Sequence, residues 1–216
     1  MLFNNGFRDF WYIIAVVFVI GLGSGRAAAE PLAPSSSLQG TFLVAAPGSR
    51  GPFQETAVLV IGHDEDGAAG VVVNRETGRT LADIMDDPST DNAARYDILS
   101  GGPVRPRALS LLQRNESGDD LPGMRIVTTT MAYTINAESI DAVLAQSPPA
   151  DEIRLFAGYT AWDAGQLERE IASGAWLITT AEATDVFETA PDSLWHSLME
   201  RITGRTGPAS QEGRDL

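Results

Sequence analysis

The chain has 216 residues and a mass of 23.0 kDa, enough for one ordinary domain with tails. Its 15 basic residues are all arginine, set against 29 acidic ones for a net charge of −14; cysteine is absent and histidine occurs twice. These counts exclude a phosphate-binding or Schiff-base lysine, thiol catalysis, disulfides, iron–sulfur clusters and a three-histidine zinc site, and no cofactor is expected.

Residues 1–29 read as an export signal. The apolar run over residues 10–20 (FWYIIAVVFVI) continues into a glycine-rich stretch, and it falls short of the ~20 residues that span a bilayer as a helix. Ala27 and Ala29 form the small-x-small pattern that signal peptidase accepts, so cleavage is expected between Ala29 and Glu30. This predicts an exported or periplasmic protein. The alternatives are an uncleaved membrane anchor and a cytoplasmic protein whose true start lies further along. Membrane contact would run through this segment only. A Pro/Ser-rich linker follows over residues 30–37 (EPLAPSSS), then a domain over 38–203 and a tail over 204–216.

Within the domain the first strand is expected over 41–46, then a pair over 56–61 and 70–74. The intervening Asp66-Gly67 makes that pair a hairpin. Further strands are expected over 96–99, 108–112, 124–130, 152–157 and 175–179. A helical turn is expected over 81–86, starting after Thr80 with Asp83 in its third position. Asn136 is placed to cap a helix over 137–146. Asp163 with Gln166 three residues on makes a capping-box pattern, with Ala164, Leu167 and Ile171 on the buried face and Gly174 as the stop. Asp192 begins a last helix that buries Leu194, Trp195, Leu198, Met199 and Ile202. Strands outnumber helices without alternating regularly with them, which points to an α+β domain.

Four stretches are candidates for chemistry. The turn His63-Asp64-Glu65-Asp66-Gly67 joins an imidazole to three carboxylates, the raw material of a metal-assisted hydrolase. It fails the EF-hand register, and adjacent residues in a tight hairpin point apart, so a solvated turn is the simpler reading. Gly101-Gly102-Pro103-Val104 permits close backbone approach to a ligand, or a sharp chain reversal. The stretch from Gly158 through Tyr159, Trp162, Gln166 and Glu168 suits a pocket for an anionic or planar ligand at a strand end. The same residues also serve as sheet packing, a capping box and dipole-complementing glutamates. Asn74-Arg75 closes a strand and is the alternative binding position. No residue set reads as catalytic or metal-binding. The acidic balance argues against direct nucleic-acid binding. A local patch from Arg75, Arg79, Arg105 and Arg107 would be the exception, and solvated loop arginines are the simpler reading.

Taken in order, residues 40–47 (GTFLVAAP), 62–75 (GHDEDGAAGVVVNR), 101–104 (GGPV), 158–170 (GYTAWDAGQLERE), 174–177 (GAWL) and the 185–195 region resemble the YqgE/AlgH family. The resemblance spans residues 38–202 and implies one α+β domain, its mostly antiparallel or mixed sheet curled into a partly closed, barrel-like structure with packed helices. Members are often labelled transcriptional regulators, with no established biochemical activity and no agreed catalytic residues. This chain differs in its leader and in the stretch 110–114 (SLLQR), where the resemblance leads one to expect a histidine. In the helix motif, Ala161 and Asp163 also stand where small residues or glycine are more usual. The expectation is a non-enzymatic binding or regulatory protein with a protein or small-molecule partner.

Overall fold

The computed structural model describes residues 37–85, 93–117 and 121–204. The expected leader, nearly all of the linker, the end of the 81–86 turn and the tail beyond Gly204 lie outside the described residues.

Strand β9 (Ile153–Asp163) is the spine of a ten-stranded sheet. Along one edge it pairs with β6 (Val104–Arg114); along the other lie β3 (Gly67–Val72) and, end to end with it, β5 (Asp97–Ser100). From β3 the sheet continues through β2 (Ala57–Asp64) and β1 (Thr41–Ala45) to β10 (Trp176–Thr180). From β6 it continues through β8 (Met131–Thr134) to β7 (Arg125–Thr128), while β4 (Glu76–Thr80) pairs with β5. The β5–β9 pair is parallel and the other ladders are antiparallel.

The sheet curls without closing. Gln39, just before β1, reaches the β7 edge, its amide Nε2 donating to the Ile126 carbonyl at 3.0 Å while Arg125 Nη1 donates to Gln39 Oε1 at 3.2 Å. A side-chain bridge thus stands where a closed barrel would have a backbone ladder.

Both faces of β1–β3 are buried, which is why these strands read as continuous apolar runs rather than alternating ones. Phe42, Leu59, Val71 and Phe156 point into one core, covered by α3 (Ala183–Phe187) and α4 (Pro191–Gly204). Leu43, Val58, Val60 and Trp162 form a second core on the opposite face with α2 (Gln166–Ala172). A third core lies under α1 (Ala137–Ala145). Asp185 of α3 is buried; its carboxylate accepts the Glu182 N–H and a two-pronged bond from Arg201 of α4, so one ion pair clasps both helices.

Local chemistry sets the element ends. Asn136 Oδ1 accepts the Ser139 N–H at 3.0 Å, an N-cap worth about 1 kcal/mol. Gly174, at φ +78°, ends the chain's run through α2 in a conformation that favours glycine. The expected capping box at Asp163 is half made, for Gln166 Oε1 accepts the Asp163 N–H but the helix starts at Gln166, after Gly165 in a left-handed conformation. Ala164 is accordingly exposed rather than on the buried face. The last helix begins at Pro191, one residue ahead of Asp192, and fully buries Leu194 and Leu198 with Trp195, Met199 and Ile202 half-buried beside them.

Other expected bounds shift for identifiable reasons. The run at 124–130 is split into β7 and the start of a hairpin to β8, whose threonine-rich turn carries no Gly or Asn signal. Strand β4 was not expected because its residues are nearly all exposed and offer no apolar period.

Candidate functional site

The structure disperses the residues singled out above. His63 leaves the acidic turn and crosses to α2, where its Nε2 lies 2.7 Å from Glu168 Oε1. Its Nδ1 accepts the Leu38 N–H at 3.0 Å, which needs a lone pair there and so places the ring proton on Nε2, donated to Glu168. The imidazole is 5% exposed, whereas Asp64, Glu65 and Asp66 stay in solvent and Asp64 Oδ1 closes the turn by accepting the Asp66 N–H. Burial pushes the Glu168 carboxyl up, but hydrogen bonds from its own backbone and from His63 outweigh it, and the net direction is down. No three His, Asp or Glu side chains converge as a metal site among the described residues. The hydrolase reading of this turn loses its geometry, because both ring nitrogens of His63 are engaged elsewhere.

Trp162 and Gln166 join a different arrangement, centred on Glu170. Glu170 Oε2 accepts the indole N–H of Trp162 at 2.9 Å and of Trp176 at 2.8 Å, and Oε1 accepts Gln166 Nε2 at 2.9 Å. The two indoles meet edge to face, with Phe53 edge-on to Trp176. This is an internal brace tying α2 to β9 and β10.

Asn74 and Arg75 hold the loop before β2. Asn74 Oδ1 accepts the Ala57 N–H, its Nδ2 donates to the Glu55 carbonyl, and Arg75 Nη2 reaches the Gln54 carbonyl and the Thr56 hydroxyl. They border a polar cleft of about 180 Å³ shared with Asp192, Trp195 and His196. Arg79 donates to the Asp83 carbonyl, so two of the four arginines considered as a basic patch are tied to local backbone.

Gly101 and Gly102 approach another strand rather than open space. A Cβ on Gly101 would sit 2.2 Å from the Gly158 carbonyl oxygen, and one on Gly102 2.4 Å from the Tyr159 backbone.

Tyr159 and Trp162 belong to different cores, on opposite faces of the sheet. Tyr159 instead lines a cleft of about 110 Å³ with Arg105, Ala108, Leu109, Ser110, Tyr133, Ile135 and Gly158. The cleft owes its shape to two irregularities. From the Val104–Tyr159 pair to the Leu109–Ala157 pair, β6 advances five residues while β9 advances two, so β6 bulges outward over residues 105–108. Arg105 begins that bulge at φ +45°, a left-handed conformation that costs an arginine about 1–3 kcal/mol. Gly158, at φ +76°, breaks the alternation of β9, so that Phe156 and Tyr159 share one core.

Among the lining residues, Ser110 is 2% exposed and Tyr133 5% exposed. Neither hydroxyl has a hydrogen-bond partner among the described residues. Burial pushes the Tyr133 phenol far above its ordinary range, opposed in part by the neighbouring Ser110 hydroxyl, though the two do not meet in hydrogen-bond geometry. Burial also raises Tyr159, opposed by the Arg105 charge. Buried hydroxyls are usually paired, so two together beside a cleft mark an unusual place. Sequence reasoning missed Ser110 and Tyr133, since nothing in SLLQR or MAYT announces a site.

A family model described as AlgH-like matches residues 42–207. The chain belongs to the AlgH-like family. A UPF0301 protein of Streptomyces coelicolor is 35% identical over 174 residues, covering 78% of this chain and 89% of the relative. Another, from Thioalkalivibrio sulfidiphilus, is 33% identical over 172 residues, covering 78% and 91%. The solution structure of AlgH from Pseudomonas aeruginosa superimposes with a TM-score of 0.64 at 26% identity, covering 84% of this chain and all of that one. The AlgH-like domain is thus a mixed α+β fold with a curled, unclosed sheet, in a family of uncharacterised function.

Proposed function

We propose that this AlgH-like chain is a non-enzymatic binding protein that takes a small molecule in the cleft between the β6 bulge, β8 and β9. The observation that carries the reading is that two residues lining that cleft, Ser110 and Tyr133, carry buried hydroxyls without hydrogen-bond partners. Such groups gain most from a ligand that supplies the missing bonds. Binding is favoured over catalysis because no His, Asp or Glu lines the cleft. Ser110 therefore lacks the adjacent base that would make it a nucleophile. Residues 1–29 support action outside the cytoplasm or at a membrane surface, with the linker as tether.

The test is a ligand-observed NMR screen of the full-length protein against acetate, propionate, propionamide and glycerol. The expected result is at least one hit that the Ser110→Ala/Tyr133→Phe double variant loses while keeping its fold. A screen without hits removes the reading. Fractionation with intact-mass measurement tests the location: a species beginning at Glu30 in the exported fraction, or the intact chain in the membrane, is expected, and a soluble cytosolic product starting near Leu38 overturns it.

A further inference from the structure

The chemistry of the cleft walls is more selective than its size. Two of the residues lining the cleft, Ser110 and Tyr133, carry hydroxyls with almost no accessible surface, so a ligand group reaches them only if it enters and the walls part around them. Ala108, Leu109 and Ile135 supply apolar wall, and Ile135 is 44% exposed, an uncommon position for a large aliphatic side chain. Arg105 brings a permanent positive charge, held there by a bulge and a strained backbone, in a chain whose net charge is −14.

We infer that the cleft binds a short organic carboxylate. The carboxylate offers two acceptor oxygens to the Ser110 and Tyr133 hydroxyl donors, Arg105 balances its charge, and a short alkyl chain lies against Ala108, Leu109 and Ile135. Inorganic phosphate would set charged oxygens against that apolar wall, and a neutral alcohol would leave the arginine without a counter-ion. The cleft has a volume of about 110 Å³, and propionate, a two-carbon chain on a carboxylate, is the probe chosen for it. This inference rests on the binding reading above and adds the ligand's class to it.

The experiment titrates ¹⁵N-labelled full-length protein with sodium propionate and, at matched ionic strength, with the isosteric neutral amide propionamide. Saturable shifts are expected with propionate at residues 105–110, 133–135 and 158–159, with propionamide binding at least about tenfold more weakly. The R105Q variant changes an exposed side chain, and about tenfold weaker propionate binding is expected for it. Tyr133→Phe is the second variant, expected to weaken propionate binding while leaving most other resonances in place. Equal affinity for the two compounds overturns the carboxylate assignment and leaves the small-molecule reading standing. Saturable propionate shifts that lie elsewhere, or that R105Q leaves unchanged, overturn the site. No saturable shift with either compound overturns both readings.

Discussion

Glu168 and His63, 105 residues apart in sequence, meet at 2.7 Å and join α2 to the end of β2. Because His63 Nδ1 also accepts the Leu38 N–H, the pair fixes where the chain enters β1. The imidazole is therefore a structural connector, a proton donor to one side and an acceptor to the other. This uses up the chemistry that made the acidic turn attractive as a metal site.

The same pair sets an acid limit on stability. Glu168 has its folded pKa below the ordinary carboxylate range, so its contribution is present above the unfolded value of about 4.5 and is lost as pH falls through the folded value. Its side chain is 27% exposed and screening by solvent keeps the effect below about 1 kcal/mol. Urea midpoints of the native protein and Glu168→Gln should differ by a constant amount above pH 4.5 and converge as pH falls below it. Parallel curves across that window would show that Glu168 titrates alike in both states.

Glu170 carries more of the fold than Glu168. It accepts both indole N–H groups and the Gln166 amide, and Glu170→Ala would strand two largely buried donors. The expected loss is about 2–4 kcal/mol in chemical denaturation, with a change in tryptophan fluorescence. Trp162→Phe, which removes one donor together with its need for a partner, should cost less than the glutamate truncation.

What was legible in the chain was local chemistry. Asp66-Gly67 between two apolar runs located the β2–β3 hairpin, Asn136 located the start of α1, and Gly174 the end of α2. The cleft was not legible, because it depends on two breaks in strand alternation. The bulge at 105–108 changes which β6 residues share a face, and Gly158 does the same for β9. Reading Gly158 as a strand end grouped Tyr159 with Trp162 in one corner, whereas continuing β9 through it sends them to opposite faces. Nor does Ser110 or Tyr133 announce that its hydroxyl lacks a partner, since that depends on how the neighbouring strands orient their polar groups.

The Gly101–Gly158 contact should be among the least tolerant points of the domain. Gly101→Ala puts a methyl group 2.2 Å from a backbone oxygen that no side-chain movement relieves. Destabilisation of at least about 3 kcal/mol is expected, with loss of the β5–β9 pairing next to it. Gly174→Ala is the contrast, since it carries a left-handed strain at φ +78° that Gly101 lacks but meets nothing within 4 Å. That variant should lose about 1–2 kcal/mol. Equal losses in denaturant titrations would mean that the backbone around the Gly158 carbonyl gives way to the methyl group at little cost.

Tyr133→Phe separates the needs of a binding site from those of a stable core. The phenol ring fills the core beside Leu112 and Tyr159, while its hydroxyl is buried without a partner. Removing the oxygen and keeping the ring should leave stability at neutral pH unchanged or raised by up to about 1 kcal/mol. A loss above that range would mean that the hydroxyl is paired in solution and would undercut the binding proposal. At high pH the variant should gain further. Burial holds the folded phenol above its unfolded pKa of 10.0, so above pH 10 the unfolded chain releases a proton that the native one keeps. Native stability must then fall as pH rises beyond 10, more steeply for the wild type than for Tyr133→Phe. Urea midpoints measured from pH 8 to about 11.5 give both results in one series. A neutral or stabilising Tyr133→Phe that also weakens ligand binding would place this hydroxyl among the groups kept for function at a cost to the fold.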